Sequence, residues 1–190
     1  MRNWIKTWIL VAATLMVAAC GETSNEYTIG NCFLIIDNST HQDATLAGCM
    51  NPNAPGMFCI IKTNFRSGVN YFEFTDNAGV SSSKKFNEID ARRSQVLGYN
   101  NGIIVGYSAL NNPATFYAFD LECPNCFDPQ AYPLRSKPLS LTTNGLAVCA
   151  VCHRQYNLNN DGFIATGEQG KKLTRYQATT TGPFGVLSVH

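Results

Sequence analysis

A chain of 190 residues that sets 14 Lys and Arg against 13 Asp and Glu carries a formal net charge of +1. With no basic run and no acidic tail, it lacks the electrostatic footprint of a nucleic-acid binder, and no nucleic-acid partner is expected. Charged residues make up only 14% of the sequence, against about 25% in ordinary soluble domains. Aromatic residues at 11% and 15 glycines point instead to a β-rich, turn-rich body.

The chain opens with a leader. Arg2 and Lys6 form a short positive region, and residues 8–19 are apolar but too few to span a bilayer comfortably. The run Val17-Ala18-Ala19-Cys20 resembles a bacterial lipobox, in which a small residue precedes the cysteine that is lipidated and becomes the mature N-terminus. An ordinary secretory peptide cleaved after Ala19 is the alternative. The expected organisation is a lipoprotein signal peptide over 1–19, a lipidated tether over 20–27 with the lipid on Cys20, and a single domain over 28–190. That places the protein in the cell envelope, on the periplasmic side or the surface, held to the membrane by lipid rather than by a spanning helix.

Strand signals then recur in chain order. Residues 32–36, 58–62, 69–74, 103–107, 115–119, 146–148 and 186–189 are short apolar or alternating runs bounded by Asn, Asp, Gly and Pro. Turn chemistry lies between them at Asn100-Asn101-Gly102, Asn160-Asp161-Gly162 and Gly182-Pro183. Residues 47–56 read as a loop by composition, and only 87–96 suits a helical turn or two. The predicted architecture is all-β, with small packed antiparallel sheets.

Two CxxC pairs carry the chemistry: Cys123-Pro124-Asn125-Cys126 and Cys149-Ala150-Val151-Cys152. Each offers two sulfurs at one tight turn, and two such loops complete four-sulfur coordination of zinc or of an iron–sulfur centre. Paired as disulfides, the same residues would need no metal. Cys32, Cys49 and Cys59 have no compact ligand spacing; Cys49 and Cys59 are the closest pair in sequence.

The stretch from about Gly102 to Val189 resembles the Rieske iron–sulfur domain. Residues 115–124 look like the Rieske strand that ends in a Cys-Pro-His loop. Residues 145–158 are similar to the Cys-x-x-His loop and the strand after it. Asn160-Asp161-Gly162, Gly167 and residues 173–176 are similar to the closing hairpin. Within that group the chain looks most like Rieske-type bacterial lipoproteins of undescribed role. Cys123 and Cys149 match the family's cysteine positions. Asn125 and Cys152 stand where its two histidines belong, and Cys126 and His153 each lie one residue further on. The family's shielding loop is usually proline-rich, and residues 167–170 contain no proline.

The resemblance implies a Rieske-like all-β fold of antiparallel sheets with a small metal-binding subdomain. It implies a [2Fe–2S] cluster with Cys123 and Cys149 on the inner iron and Cys126 and Cys152 on the outer one. Electron transfer to an unidentified redox partner would follow, at a potential lowered by four anionic ligands toward about −400 mV. Ligand chemistry alone fits one tetrahedral zinc or iron equally well, which would make the protein a non-redox structural or interaction module.

The remaining polar residues have plainer readings. His153 is an alternative ligand or a solvated neighbour. His41, His190, Asp120 and Glu122 read as solvated, and Lys84-Lys85 and Arg92-Arg93 as exposed faces. Ser81-Ser82-Ser83 reads as a turn without the context of a nucleophile, so an enzymatic role is not favoured. Tyr107, Tyr117 and Tyr156 fall in strand patterns and read as core or half-core.

Overall fold

A computed structural model describes residues 26–28 and 30–190. The leader, Cys20 and most of the tether lie outside the described residues. Among the described residues strands account for 38% and helices for 9%, and every strand pair is antiparallel, as the all-β reading expects.

The strands form three sheets. Six strands make the largest: β2 (Phe58–Arg66), β3 (Val69–Asp76), β4 (Ser81–Lys85), β5 (Ile103–Tyr107), β6 (Phe116–Asp120) and β11 (Arg175–Tyr176), in the order β11-β6-β5-β2-β3-β4. Beside it, β1 (Leu34–Asp37), β13 (Val186–Val189) and β12 (Ala178–Thr180) make a three-stranded sheet with β13 in the centre. The third is a meander of β7 (Leu139–Leu141), β8 (Leu146–Cys149), β9 (Gln155–Asn157) and β10 (Phe163–Thr166).

Side-chain alternation explains how the layers stack. Successive residues of a strand point to opposite faces. On one face of the large sheet Cys59, Ile61, Ile103, Val105 and Ala118 join Leu34, Ile36, Leu187 and Val189 of the three-stranded sheet in one core. On the other face Phe58, Ile104, Tyr117 and Phe119 join Ala147, Cys149, Tyr156 and Leu158 of the meander in a second core. The strands β2, β5 and β6 are therefore buried on both sides. This is why 103–107 and 115–119 read as near-continuous apolar runs rather than polar–apolar alternation. At Gly106 an added Cβ would stand 2.3 Å from the Met57 carbonyl oxygen, so the β5–β2 approach requires glycine there.

Among the described residues three short helices sit outside the sheets: α1 (Asn38–His41), α2 (Ala44–Cys49) and α3 (Glu88–Arg92). The last falls within the expected 87–96 segment, closed by a capping box between Asn87 and Asp90. The other two correct the sequence reading, since α2 takes up residues 44–49 of a stretch expected in part as loop. Helices of this length are too short to show an apolar period. Their local signals are Asp37 and Asp43, whose carboxylates accept the Ser39 and Leu46 backbone N–H groups.

Several polar residues expected in solvent are buried. His41, the last residue of α1, is 8% exposed, with Nε2 2.9 Å from the Asp90 carboxylate of α3 and its ring edge-on to Phe72. Asp120 accepts from the Tyr176 hydroxyl at 2.7 Å and from the Tyr99 and Glu122 backbone N–H groups, each also at 2.7 Å. Glu122 accepts from Asn100, Ser136 and the Lys137 backbone. Both carboxylates are satisfied structural acceptors in the chain that leads into the first cysteine loop. Residues 81–83 begin strand β4 instead of forming a turn, with Ser82 opposite Phe74 and its hydroxyl donating to Asp43.

Candidate metal centre

The first cysteine loop follows β6 directly. Residues 121–123 remain pinned to the meander, with Leu139 N–H donating to Leu121 and Cys123 N–H donating to Lys137. The Cys123 carbonyl then accepts from Cys126 at 3.1 Å and from Phe127 at 2.9 Å, which winds Cys123–Cys126 into a tight turn. The second loop repeats the device at the end of β8. The Cys149 carbonyl accepts from His153 at 3.0 Å, and Cys149 N–H donates to the Arg154 carbonyl. His153 completes that turn in the left-handed region at φ 59°.

These two turns face one another. The four sulfurs of Cys123, Cys126, Cys149 and Cys152 all lie within 4.8 Å of each other. Contacts cross between the loops: Cys123 to Cys152 and Cys126 to Cys149, each at 3.8 Å. Cys123 and Cys149 are fully buried, while Cys126 and Cys152 are partly exposed. All four stand as thiols. The sequence-predicted ligand set is thus brought together, and its arrangement suits a metal ion. His153 points elsewhere: it is exposed and outside the cluster.

Electrostatics within the cluster are uneven. Burial raises the Cys123 thiol, against the hydrogen bonds from Tyr156 and Asn125. Burial and then the neighbouring Cys152 raise Cys126 further. At Cys152 burial is outweighed by the backbone and guanidinium of Arg154, which bring the thiol down to about 6. Without a cation Cys123 and Cys126 therefore hold their protons, chiefly because burial disfavours their thiolates; a bound cation would displace them.

Three further residues shape the site. The Tyr156 hydroxyl, fully buried on β9, lies 3.2 Å from the Cys123 sulfur and accepts from the Asn125 side chain at 2.9 Å. Asn125 also donates to the Lys171 carbonyl at 2.8 Å and accepts from the Lys171 backbone at 2.9 Å. Arg154 donates to the carbonyls of Glu168 and Gln169. Residues 167–171 are thereby laced to both cysteine loops. Gly170 permits it, for an added Cβ would stand 2.4 Å from the Asn125 side-chain oxygen. Tyr156 is core, as its strand pattern implies, but neither its hydroxyl on sulfur nor the contacts of Arg154 leave a local signal in the sequence.

Set against protein families, curated proteins and solved structures, the chain has no match. Among the described residues no helix is long and apolar enough to cross a membrane.

Proposed function

We propose that this chain is an envelope lipoprotein whose β domain holds one metal ion on Cys123, Cys126, Cys149 and Cys152, with zinc as the ion and a structural clasp as its role. The observation that carries the reading is the sulfur spacing. A tetrahedral ion with metal–sulfur bonds of about 2.3 Å requires sulfur–sulfur edges of about 3.8 Å. The crossed pairs stand at that edge length, and the largest separation allowed within the cluster is 4.8 Å. Two bridged irons would hold the thiolates of one iron more than about 5 Å from those of the other, because the bridging sulfides separate the metals. Joining β6 to β8, the ion would lock the meander onto the large sheet and contribute folding energy directly.

A second reading, electron transfer at iron, is favoured by the Tyr156 hydroxyl at 3.2 Å from Cys123. A hydrogen bond to a ligand sulfur is a lever on the potential of an iron–thiolate centre, and the Rieske-like order of motifs supports that chemistry on this scaffold. The experiment is metal analysis with a visible spectrum on protein lacking Cys20. One zinc per chain and no colour is the expected result. A brown protein with two irons and acid-labile sulfide would replace the clasp with the [2Fe–2S] carrier. Metal-free protein with bridged loop cysteines would remove both.

A further inference from the structure

Cys49 is the last residue of α2 and Cys59 the second residue of β2, and both are at most 1% exposed within one core cluster. The end of α2 lies directly on the approach to β2: an added Cβ on Gly48 would come to 3.0 Å from the end of the Met57 side chain. The helix that ends in Cys49 and the strand that carries Cys59 are in contact within that core, and after burial it is the Cys49 thiol that helps raise the Cys59 thiol. Both stand as thiols in the structure. Cys32 occupies another part of the same core, against Gly98. Nothing in the metal centre uses these residues, and a pair of adjacent buried thiols is a cross-link waiting for an oxidant.

We propose that Cys49 and Cys59 form a disulfide in the exported protein, tying α2 to β2 across residues 50–58. The reaction joins the two sulfurs and removes two protons and two electrons. The electrons pass by thiol–disulfide exchange to a disulfide oxidant: a protein disulfide, which leaves as its dithiol, or oxidised glutathione, which leaves as two glutathione thiols. Exchange needs an attacking thiolate and access to it. The completed core denies that access, so the bond forms during folding, before α2 is packed down on β2, β3 and β5. The compartment, though not the pairing, rests on the export reading.

The test maps cysteines in the full chain by alkylation under denaturing conditions, proteolysis and mass spectrometry. One sample is the protein made with its own leader in a bacterial host. The other is the protein refolded with zinc in a mixture of oxidised and reduced glutathione. The expected result is a linked Cys49–Cys59 peptide in both, with Cys32 alkylated. Linkage in the refolded sample alone upholds the pairing and overturns export. Alkylated Cys49 and Cys59 in both samples, or either one joined to Cys32, overturn the disulfide. A C49A/C59A variant gives a second readout. Wild-type protein refolded with a reductant should melt about 5–8 °C below the oxidised form, and the variant should show no such difference.

Discussion

Cys126 and Cys152 form the part of the sulfur cluster that water reaches, while Cys123 and Cys149 close it from the inside. The buried half is where single side chains tell most. Removing the Tyr156 hydroxyl strips a partner from Cys123 and from Asn125 at once. Tyr156→Phe should therefore cost about 1–1.5 kcal/mol in denaturant unfolding of the metal-loaded protein. Combined with Asn125→Ala it should cost less than the sum of the two, because the pair share one network. Additive losses would mean that the two side chains act separately. Protons give a second handle. Burial raises the thiols of Cys123 and Cys126, so both are protonated near neutrality when no cation is present. Metal entry then releases at least two protons, and apparent affinity should climb at least about 100-fold for each pH unit between about 6 and 8. The direction follows from the sign: acid refills the thiols and expels the ion. A competition titration with a coloured chelator at several pH values measures it, and a flat profile would contradict the raised thiols.

The segment over 167–171 lacks the stiffness of a proline-rich loop and is held by its contacts with Asn125 and Arg154. Gly170→Ala would drive a methyl group into the Asn125 side chain. The expected outcome is faster metal loss to a chelator, by about tenfold, in line with the effect of disturbing groups that orient metal ligands. An unchanged loss rate would show that this segment does not guard the centre. The same contacts mark what could and could not be read from sequence. The ligand cysteines were legible because each pair closes within one turn. Asn125 and Arg154 reach partners 46 and 14 residues away, and a contact of that kind leaves no local pattern. Among the strands, β5 and β13 were legible from apolar runs with turn residues at their ends. Edge strand β4 was not, since Ser81–Lys85 shows no apolar residue and owes its conformation to pairing with β3. The two-residue β11 is likewise fixed by its partner β6 and by the buried Tyr176–Asp120 bond.

Across the whole molecule, the sulfur cluster joins the large sheet to the meander and leaves the three-stranded sheet on the far face. Stripping the ion with a chelator should therefore raise amide hydrogen exchange first in β7–β10 and in residues 121–127. The amides of β1, β12 and β13 should keep protection close to that of the loaded protein. Uniform loss of protection would mean that the two cores melt together. The shared wall of β2, β5 and β6 has one more consequence, for anyone who dissects the gene. Excising the meander would leave Phe58, Ile104, Tyr117 and Phe119 facing water, and excising the opposite layer would do the same to Ile61, Ile103 and Val105. Either fragment would present a broad greasy surface and clump with its own copies, so shortened versions should turn up in inclusion bodies.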